Sequence, residues 1–423
     1  MKTPKPLKNP WGESNDWGAL KGLKVLDLTI MLAGPFCSMM LGDQGASVIK
    51  IESLAGDTTR DVGPFMPDDE SRAYTGYFQS VNRNKRSLAL DLKSVEGKEI
   101  FFKLAADADV VLENFRAGVM DRLELNYERL AAINPKLVYG ALRGFGDPRT
   151  GVSPYLNWPA YDVVAQAMGG VIGITGPVGV KGRAAQPMKV GPGVGDLAPA
   201  MLLAFGVLAA VRHAERTGQG QFVDVAMYDG ILALCERIVY QYSYQGTVPG
   251  PEGNAHPLLC PYGLFPAIDG WISIAVATDA FWRELCDIMG RPELGVDPRF
   301  VNNASRVANA ALVNEMVGGW TALLPKVELT AALGGRVPYG PVNDVEEIFK
   351  DPHVAARAML AEVEQPGSKR PATIANTPIH MTATPGGVHR RSPLLGEDAE
   401  TILAALGYGA AAIAELKAKR IIL

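Results

Sequence analysis

The carboxylate of Asp196 has the most favourable setting for chemistry in this chain. It follows the glycine-rich run of residues 191–195 and precedes residues 197–211, a stretch without a charged side chain. Asp is a good N-cap because its side chain accepts hydrogen bonds from the free N–H groups of a first helical turn. A helix that is apolar on all sides is usually buried. The position therefore predicts either the cap of a buried helix or a reactive carboxylate.

Two clusters of basic and amide side chains could hold a phosphate-bearing ligand. One lies directly before a predicted strand and the other directly after one. The first contains Asn84, Lys85 and Arg86, and the second contains Asn114, Phe115 and Arg116, with Arg122 close behind. Ligands of open parallel sheets bind at the carboxyl ends of strands, where Arg and Lys side chains bind phosphate. A solvated basic edge is the alternative, and spacing alone leaves both open.

The chain lacks the patterns of other common ligand sites. No predicted strand is followed by GxGxxG, which disfavours an enzyme that uses a nicotinamide dinucleotide. The five histidines form no metal-ligand pair at helical spacing, so no metal site is predicted. The four cysteines are far apart in the sequence. This spacing disfavours a disulfide framework and a zinc site, and it favours a reducing cytoplasm.

The charge and hydropathy of the chain exclude two further classes of partner. A net charge of −4 gives no reason to expect nucleic acid. The longest uncharged apolar stretch, residues 197–211, is shorter than the roughly 20 residues of a membrane span. The N-terminal residues are polar and proline-bearing, without the apolar core of a signal peptide. We therefore expect a cytoplasmic protein that binds neither nucleic acid nor membrane.

The first two hundred residues alternate between strand-like and helix-like runs. The predicted strands are residues 24–29, 47–52, 87–92, 109–113 and 137–142. The predicted helices are residues 36–42, 95–108 with Ser94 as cap, 119–133 and 197–211. Alternation at this spacing is typical of βαβ units. It predicts an α/β fold with an open, mostly parallel, doubly wound sheet in a Rossmann-like large domain.

A second, smaller α+β domain is predicted later in the chain. Ile268, Asp269 and Gly270 separate two strand-like runs and indicate a hairpin. A helix capped by Asp279 follows the hairpin, another helix starts at Asp344, and a last helix lies near the C-terminus. The predicted divisions are an N-terminal extension 1–20, a large domain 21–230, a linker and loop 231–261, a small domain 262–335, and a returning segment 336–423.

Several ordered motifs resemble those of the family III CoA-transferases. This group contains formyl-CoA and carnitine CoA-transferases and, as close relatives, the α-methylacyl-CoA racemases. The similarity extends from about residue 20 to the C-terminus in the expected order, which makes it more specific than one short pattern. The motifs are residues 22–29, 33–35, 84–87, 113–116, 195–196, 217–221, 340–343 and 393–396.

The resemblance implies an enzyme whose substrate is a coenzyme A thioester and which holds no permanent cofactor. It implies that Asp196 is the catalytic nucleophile and that the chain forms an interlocked homodimer. The residues that it implies in CoA binding are Asn84, Lys85, Arg86, Asn114, Phe115, Arg116, Arg122 and Met227.

Positions that differ within the family indicate the reaction. Racemases of this group carry a basic histidine where this chain has Tyr161, and a phenol of pKa about 10 is a poor base at neutral pH. This favours a transferase, with a racemase or a non-catalytic subunit of a heteromeric transferase as alternatives. Leu32 replaces the glutamine of formyl-CoA transferases. The loop that contains Gly253 and His256 replaces their glycine run, so oxalate and formate are not expected.

The expected substrates are succinyl-CoA as the CoA donor and a dicarboxylic acid as the acceptor. The substrate-binding candidates are Leu32, Tyr161, Gly253 and His256, with Arg183 and Lys189 as further partners for a carboxylate. Residues 249–257 are the candidate for a lid over the site.

A thioester needs only a weak nucleophile, because its leaving thiolate comes from a thiol of pKa near 8.5. An Asp of ordinary pKa, about 3.9, would be fully ionised at neutral pH and would need no base.

Overall fold

The computed structural model describes residues 9–12, 15–179 and 185–423. The chain divides into two compact units, and each is described by itself. The first comprises Met1–Val171, Val190–Arg237 and His353–Leu423. The second comprises Ile172–Lys189 and Ile238–Pro352.

The strands lie in three sheets. In chain order they are β1 (Lys24–Asp27), β2 (Ser47–Glu52), β3 (Lys85–Ala89), β4 (Val110–Glu113), β5 (Val138–Arg143), β6 (Phe222–Ala226), β7 (Tyr262–Ala267), β8 (Gly270–Ala275), β9 (Tyr339–Pro341), β10 (Leu360–Val363) and β11 (Ala372–Ala375).

The helices alternate with the strands of the first unit and dominate the second. In chain order they are α1 (Ala33–Asp43), α2 (Gly76–Asn82), α3 (Val95–Ala105), α4 (Val119–Arg122), α5 (Tyr127–Ile133), α6 (Asp162–Met168), α7 (Val171–Ile174), α8 (Val194–Thr217), α9 (Met227–Leu234), α10 (Glu236–Gln245), α11 (Asp279–Ile288), α12 (Asn303–Ala308), α13 (Ala310–Thr321), α14 (Lys326–Leu333), α15 (Val345–Lys350), α16 (Pro352–Ala356), α17 (Ala399–Ala405) and α18 (Ala410–Ala418).

The first unit is built on a parallel sheet of six strands in the order β3-β2-β1-β4-β5-β6. Each neighbouring pair is parallel, and every residue of β2 and β5 is buried. Sheets with helices on both faces bury their strands completely. The chain runs outward from β1 to β3 and then returns to add β4 to β6 on the other side. The prediction of an open, doubly wound α/β sheet is confirmed.

The strand order reverses between β1 and β4, which makes their carboxyl ends the switch point of the sheet. Ligands of doubly wound sheets bind in the crevice outside such a point. The loop after β1 contains Ile30 and Met31, and the loop after β4 contains Asn114 and Phe115. The fold therefore brings together two segments that lie far apart in the sequence.

Some predicted boundaries are wrong. The third strand covers Lys85–Ala89, two residues before the predicted start. The helix predicted over residues 119–133 is divided into α4 and α5 by Glu124, whose φ of 59° interrupts a right-handed helix. The cap of α11 is Thr278 rather than Asp279, because the Thr278 hydroxyl accepts the N–H of Phe281. The predicted Ser94 cap is confirmed, since its hydroxyl accepts the N–H of Gly97 at 3.0 Å.

Charged side chains are buried beneath the switch point. Asp27 and Lys85 form an ion pair at 2.9 Å, and Lys50 and Asp57 form another at 3.2 Å, all four with fully buried side chains. Burial opposes the ionisation of Asp27, but Lys85 and Lys50 lower its pKa to about 2. A buried charge needs such partners because its desolvation is costly. The first pair joins β1 to β3, and the second joins β2 to the loop that follows it.

Trp11 and the C-terminal helices pack on the first unit. The Trp11 side chain is buried, and its indole N–H donates to Asp107 at 3.0 Å. The C-terminal helices contribute Ile402 and Leu403 to the hydrophobic core, and Ile422 pairs with Leu90. This packing fixes the returning segment against the sheet.

Helix α8 is long and apolar enough to cross a membrane by length and composition alone. Its most apolar 18-residue window has a mean hydropathy of 2.0, and half of that window is buried inside the protein. Core helices of soluble proteins meet the same criteria. The helix packs on α1, α9 and β5, and this packing accounts for the buried half of its apolar side chains.

The second unit has a separate core. Its antiparallel sheet has the order β7-β8-β9, and β7 and β8 form the predicted hairpin. Trp282 and Phe300 are fully buried in the core that this sheet forms with the surrounding helices. Asp344 caps α15 in a capping box with Glu347, which confirms the predicted helix start.

Candidate active site

A cavity of about 300 Å³ lies over the carboxyl ends of β1, β4 and β5 in the first unit. Most of its lining is apolar or aromatic, with one carboxylate and two guanidinium groups. The lining residues used below are Ile30, Met31, Leu32, Ala33, Tyr77, Asn114, Phe115, Arg116, Val119, Arg143, Tyr161, Asp196 and Met227. The cavity therefore combines one carboxylate with a largely apolar surface.

Asp196 lies in the first turn of α8 but does not cap it. The helix begins at Val194, and Gly193 occupies the N-cap position without a side-chain cap bond. The prediction that Asp196 caps a helix starting at residue 197 is therefore wrong. The N–H of Gly195 is satisfied instead by the Asp162 carboxylate of α6, at 2.7 Å. The Asp196 side chain is left free to face the cavity.

The carboxyl group of Asp196 has a strongly raised pKa. Burial, reinforced by the negative charge of Asp162, raises this pKa to about 7. Removal from water penalises the charged form of an acid, and a nearby like charge adds to that penalty. The expectation of a fully ionised Asp at neutral pH is therefore wrong for the unliganded site. Within the described ranges the carboxylate has no hydrogen-bond partner, so nothing offsets its desolvation.

Tyr77 lines the same cavity and was missed by sequence reasoning. It lies in the second residue of α2, whose start is capped by Thr75. Burial and the negative charge of Asp196 raise the pKa of Tyr77 to about 12. A neutral phenol is both a donor and an acceptor. No sequence pattern marks Tyr77, because only the packing of α2 brings it towards Asp196.

The loop after β1 is held by side chains from several elements. Asn114 accepts the Ile30 N–H at 2.8 Å and donates to the Ile30 carbonyl at 2.7 Å. Asp57 accepts the Met31 N–H at 3.3 Å. Met31 has a φ of 67°, a left-handed conformation that costs energy for a residue other than glycine. These contacts hold Leu32 at the cavity wall.

The backbone of Phe115 is fixed from below the cavity. The Glu113 carboxylate accepts its N–H at 2.7 Å, and the Arg143 guanidinium donates to its carbonyl at 3.1 Å. Arg143 also pairs with Glu113 and Asp147. Burial raises the pKa of Glu113 to about 7 despite Arg143. This cluster fixes the ring of Phe115 at the boundary of the cavity.

A second cavity of about 450 Å³ shares Ile30, Phe115 and Val119 with the first. It follows the carboxyl ends of β2 and β3 and is lined in addition by Leu92 and Lys93, residues that the sequence analysis did not select. The two cavities therefore adjoin each other at these shared residues, along the carboxyl edge of the sheet.

The predicted CoA-binding residues are only partly brought together. Asn114, Phe115, Arg116 and Met227 line the first cavity. Arg116 has no ion pair or hydrogen bond from its guanidinium within the part of the chain that is described. Arg122 lies at the end of α4 and is exposed.

The Asn84, Lys85 and Arg86 side chains lie outside both cavities. Lys85 is fully buried and donates to Asp27, Asn82 and the Pro35 carbonyl. The other two bond to neighbouring segments: Asn84 to Asp43 and the Gly387 carbonyl, and Arg86 to Asp398, Thr401 and the Pro10 carbonyl. Their predicted contact with CoA stays a prediction.

The substrate-binding candidates lie in both units. Leu32 and Tyr161 line the first cavity, and Tyr161 is 64% exposed. Gly253 and His256 belong to the second unit, where the His256 ring accepts the Leu258 N–H at 3.1 Å and packs beside Tyr262. Lys189 is exposed in the second unit. Arg183 lies outside the described residues.

The sequence as a whole matches the model of one protein family. That model is described as CoA-transferase family III, and the match covers residues 20–399. The chain belongs to CoA-transferase family III. This membership agrees with the resemblance found in the sequence motifs, and it makes the protein a transferase that uses CoA thioesters as substrates.

Named relatives and a solved structure are similar to this family III transferase over nearly its full length. It is 50% identical to a succinyl-CoA:mesaconate CoA-transferase of Haloarcula hispanica, over 93% of this chain and 97% of the relative. It is 39% identical to a succinate–glutarate CoA-transferase of Agrobacterium fabrum, over 92% and 95%. A crystal structure of a CAIB/BAIF family protein from Brucella suis superposes with a TM-score of 0.81 at 35% identity, covering 92% of this chain and 100% of that chain.

Proposed function

We propose that this transferase moves CoA from succinyl-CoA to a dicarboxylic acid, with Asp196 as the covalent carrier. The observation that carries the proposal is a carboxylate without a hydrogen-bond partner among the described residues, in the first turn of a half-buried helix, that faces a largely apolar cavity. A nucleophile for acyl transfer must be accessible and free of competing partners. Asp196 meets both conditions.

The proposed reaction proceeds through two covalent intermediates. A carboxylate oxygen of Asp196 attacks the succinyl carbonyl, the C–S bond breaks, and an aspartyl–succinyl anhydride forms with release of the CoA thiolate. The thiolate then attacks the Asp196 carbonyl, giving an aspartyl-CoA thioester and free succinate. No proton is consumed, because each step exchanges one anion for another.

The second half of the reaction reverses the sequence with the acceptor. The acceptor carboxylate attacks the aspartyl-CoA thioester and gives a mixed anhydride with release of the CoA thiolate. The thiolate attacks the acceptor carbonyl, and the Asp196 carboxylate is regenerated. Tyr77 and the N–H groups near the cavity are candidate donors to the developing oxyanion, and one such donor contributes about 10²–10³ in rate.

The two joined cavities support a CoA thioester as the substrate. The thioester would lie beside Asp196, and the pantetheine arm would pass Phe115 towards the second cavity, where Lys93 lies in the lining. Arg116 has no ion-pair partner among the described residues on this path, and guanidinium groups bind phosphates and carboxylates well. Asn84, Lys85, Arg86 and Arg122 remain candidates for contact with CoA.

The printed names of the relatives guide the choice of acceptor. The relatives cited above include a transferase named for mesaconate and another named for glutarate, both dicarboxylates. We propose mesaconate or a similar short dicarboxylate as the acceptor here. Leu32, Tyr161, Gly253 and His256 remain the candidates for acceptor binding, and residues 249–257 the candidate lid. A screen of acceptor acids with succinyl-CoA tests the choice: transfer to monocarboxylates alone contradicts it.

A homodimer, interlocked as the family resemblance implies, is part of the proposal. Helix α8 exposes Met201, Leu202 and Phe205, the last at 75%. Apolar side chains grouped on one exposed helix favour burial against a partner. Light scattering on the purified chain should give twice the chain mass.

The four free cysteines favour a reducing compartment, and we propose the cytoplasm.

Trapping the covalent intermediate tests the function directly. The enzyme is incubated with succinyl-CoA and then hydroxylamine, and the peptide that contains Asp196 is examined for a hydroxamate by mass spectrometry. Asp196→Ala should lose both the adduct and transfer. Transfer by Asp196→Ala contradicts the mechanism.

Exchange of the α-hydrogen of an acyl-CoA in D₂O without an acceptor acid would indicate the racemase alternative. Inactivity of the purified single chain with every acceptor would indicate a non-catalytic subunit.

A further inference from the structure

The start of α8 is fixed by two side chains of α6. Asp162 accepts the Gly195 N–H at 2.7 Å, and Gln166 donates to both Asp162 oxygens at 2.9 Å. Gln166 also accepts the Val190 N–H at 2.9 Å. The Gln166 side chain is fully buried. One connected set of bonds therefore links α6, the segment before α8 and the first turn of α8.

The glycine at position 195 allows this close contact. A Cβ there would lie 2.4 Å from the Asp162 carbonyl oxygen and 2.9 Å from its Oδ1. Any larger residue would push α8 away from α6. The close approach to Asp162 thus explains why position 195 is a glycine. Its backbone is not in the left-handed region, so conformation is not the reason.

The Asp162 carboxylate also defines the charge near the nucleophile. It is the charged group whose repulsion adds to burial in raising the pKa of Asp196. The other elements around Asp196 present Tyr77 from α2, Arg116 after β4 and Arg143 at the end of β5. The charge of Arg143 is taken up by its pairs with Glu113 and Asp147, whereas α1 and α9 contribute apolar contacts.

We propose that Asp162 is a positioning residue for the transfer reaction, fixing the first turn of α8 together with Gln166 and adding a negative charge beside Asp196. The proposal rests on the nucleophilic role of Asp196 given above. Asp162 does not line the cavity, so it acts through the helix and through its charge. When succinyl-CoA fills the cavity, repulsion from Asp162 favours acylation of Asp196, because acylation removes the negative charge of its carboxylate.

Two substitutions separate the geometric role from the charge. Asp162→Asn keeps an oxygen for the Gly195 N–H and removes the negative charge. Asp162→Ala removes both, and Gln166→Ala removes the bonds to Asp162 and Val190. Asn126→Ala is the control, because Asn126 caps α5 through the Arg129 N–H and lies outside both cavities.

Steady-state kinetics with succinyl-CoA and an accepted dicarboxylate test the role. Asp162→Ala and Gln166→Ala should lower kcat by about 10–100-fold, since a small misplacement of a reacting group has that effect. Their KM for succinyl-CoA should change little. Asp162→Asn should keep most of its kcat at high pH, while the acid limb of kcat/KM moves about half a pH unit or more to lower pH. Asn126→Ala should match the parent in both.

The outcomes distinguish this role from the proposed function. Parental kcat in Asp162→Ala and an unmoved acid limb in Asp162→Asn, with Asp196→Ala inactive, overturn the positioning role alone. An active Asp196→Ala overturns the proposed function and the positioning role with it. If Asp162→Ala does not fold, the acid limb of Asp162→Asn and the kcat of Gln166→Ala decide.

Discussion

Asn114 binds both backbone polar groups of Ile30. Its Oδ1 accepts the Ile30 N–H at 2.8 Å, and its Nδ2 donates to the Ile30 carbonyl at 2.7 Å. Ile30 follows β1 and Asn114 follows β4, the strands on either side of the switch point. Asn114 therefore joins the two loops that form the cavity wall, in addition to any contact with CoA.

Replacing Asn114 should weaken both the loop and the reaction. Asn114→Asp loses the donor to the Ile30 carbonyl, and Asn114→Ala loses both bonds. We expect Asn114→Ala to lower the free energy of unfolding by about 0.5–1.5 kcal/mol, the net contribution of an ordinary hydrogen bond, because the two bonds lie at an exposed position. Its kcat should fall as well, because Leu32 and Met31 are displaced. Urea unfolding and initial rates measure the two effects. A rise in KM for succinyl-CoA alone, with stability unchanged, would contradict the positioning effect and favour a simple CoA contact.

The rate should depend on pH through Asp196. Its pKa near 7 in the free enzyme means that the nucleophilic carboxylate is half formed at neutral pH. The profile of kcat/KM should therefore rise with pH and level off above about pH 8, since this ratio reports groups of the free enzyme. Initial rates from about two pH units below this pKa to about two units above it give the profile. A flat profile across pH 6 to about 8 would contradict the raised pKa.

Asp196 should also lower the stability of the folded protein at high pH. Its pKa in the folded protein is above the usual value of 3.8, so the folded state binds the proton more tightly. The resulting loss of folding stability is absent well below pH 4, grows as the pH rises from about 4 to about 7, and is complete above about pH 7. Asp196→Asn should thus be more stable than the parent by about 1–3 kcal/mol at pH 8 and nearly equal to it at pH 4. Denaturant midpoints at the two pH values measure this. An equal difference at both pH values would indicate an effect of packing instead.

The hydroxyl of Tyr77 should contribute to the rate with little effect on stability. It lines the cavity with Asp196 and has no hydrogen-bond partner among the residues that the structure describes. Tyr77→Phe keeps the ring and removes the donor. We expect kcat to fall by about 10–100-fold, towards the lower end of the effect of an oxyanion donor. Tyr127→Phe, on an element outside the cavity, is the matched control. Equal rates for Tyr77→Phe and the parent would exclude a role in the transition state.

Lys85 should prove structural when it is replaced. Its ammonium group is fully buried against Asp27, and burial lowers its pKa to about 8. Lys85→Met leaves Asp27 with one fewer cation and should cost about 3–5 kcal/mol, as for other broken buried pairs. Thermal unfolding measures the loss. Unchanged stability with a weakened affinity for CoA would instead confirm the contact implied by the family resemblance.

Local sequence patterns determined much of the first unit. The Ser94 cap and the alternation of strands with helices follow from short-range rules and are confirmed, whereas the third strand starts at Lys85 and the helix predicted over residues 119–133 is divided. The hairpin at Gly270 and the start of α15 at Asp344 are of the same kind. These features depend on a few neighbouring residues, so the sequence carries them directly.

The chemistry of the site needed the tertiary structure. The sequence indicated Asp196 with an ordinary pKa and a capping role, yet the free N–H of Gly195 is bound by Asp162 of α6 and the pKa of Asp196 is about 7. Tyr77 and Lys93 carry no local signal, and Lys85 turned out to be buried. Burial and the proximity of side chains from different elements set these properties. Both depend on the packing of segments that are far apart in the chain, which local patterns do not encode.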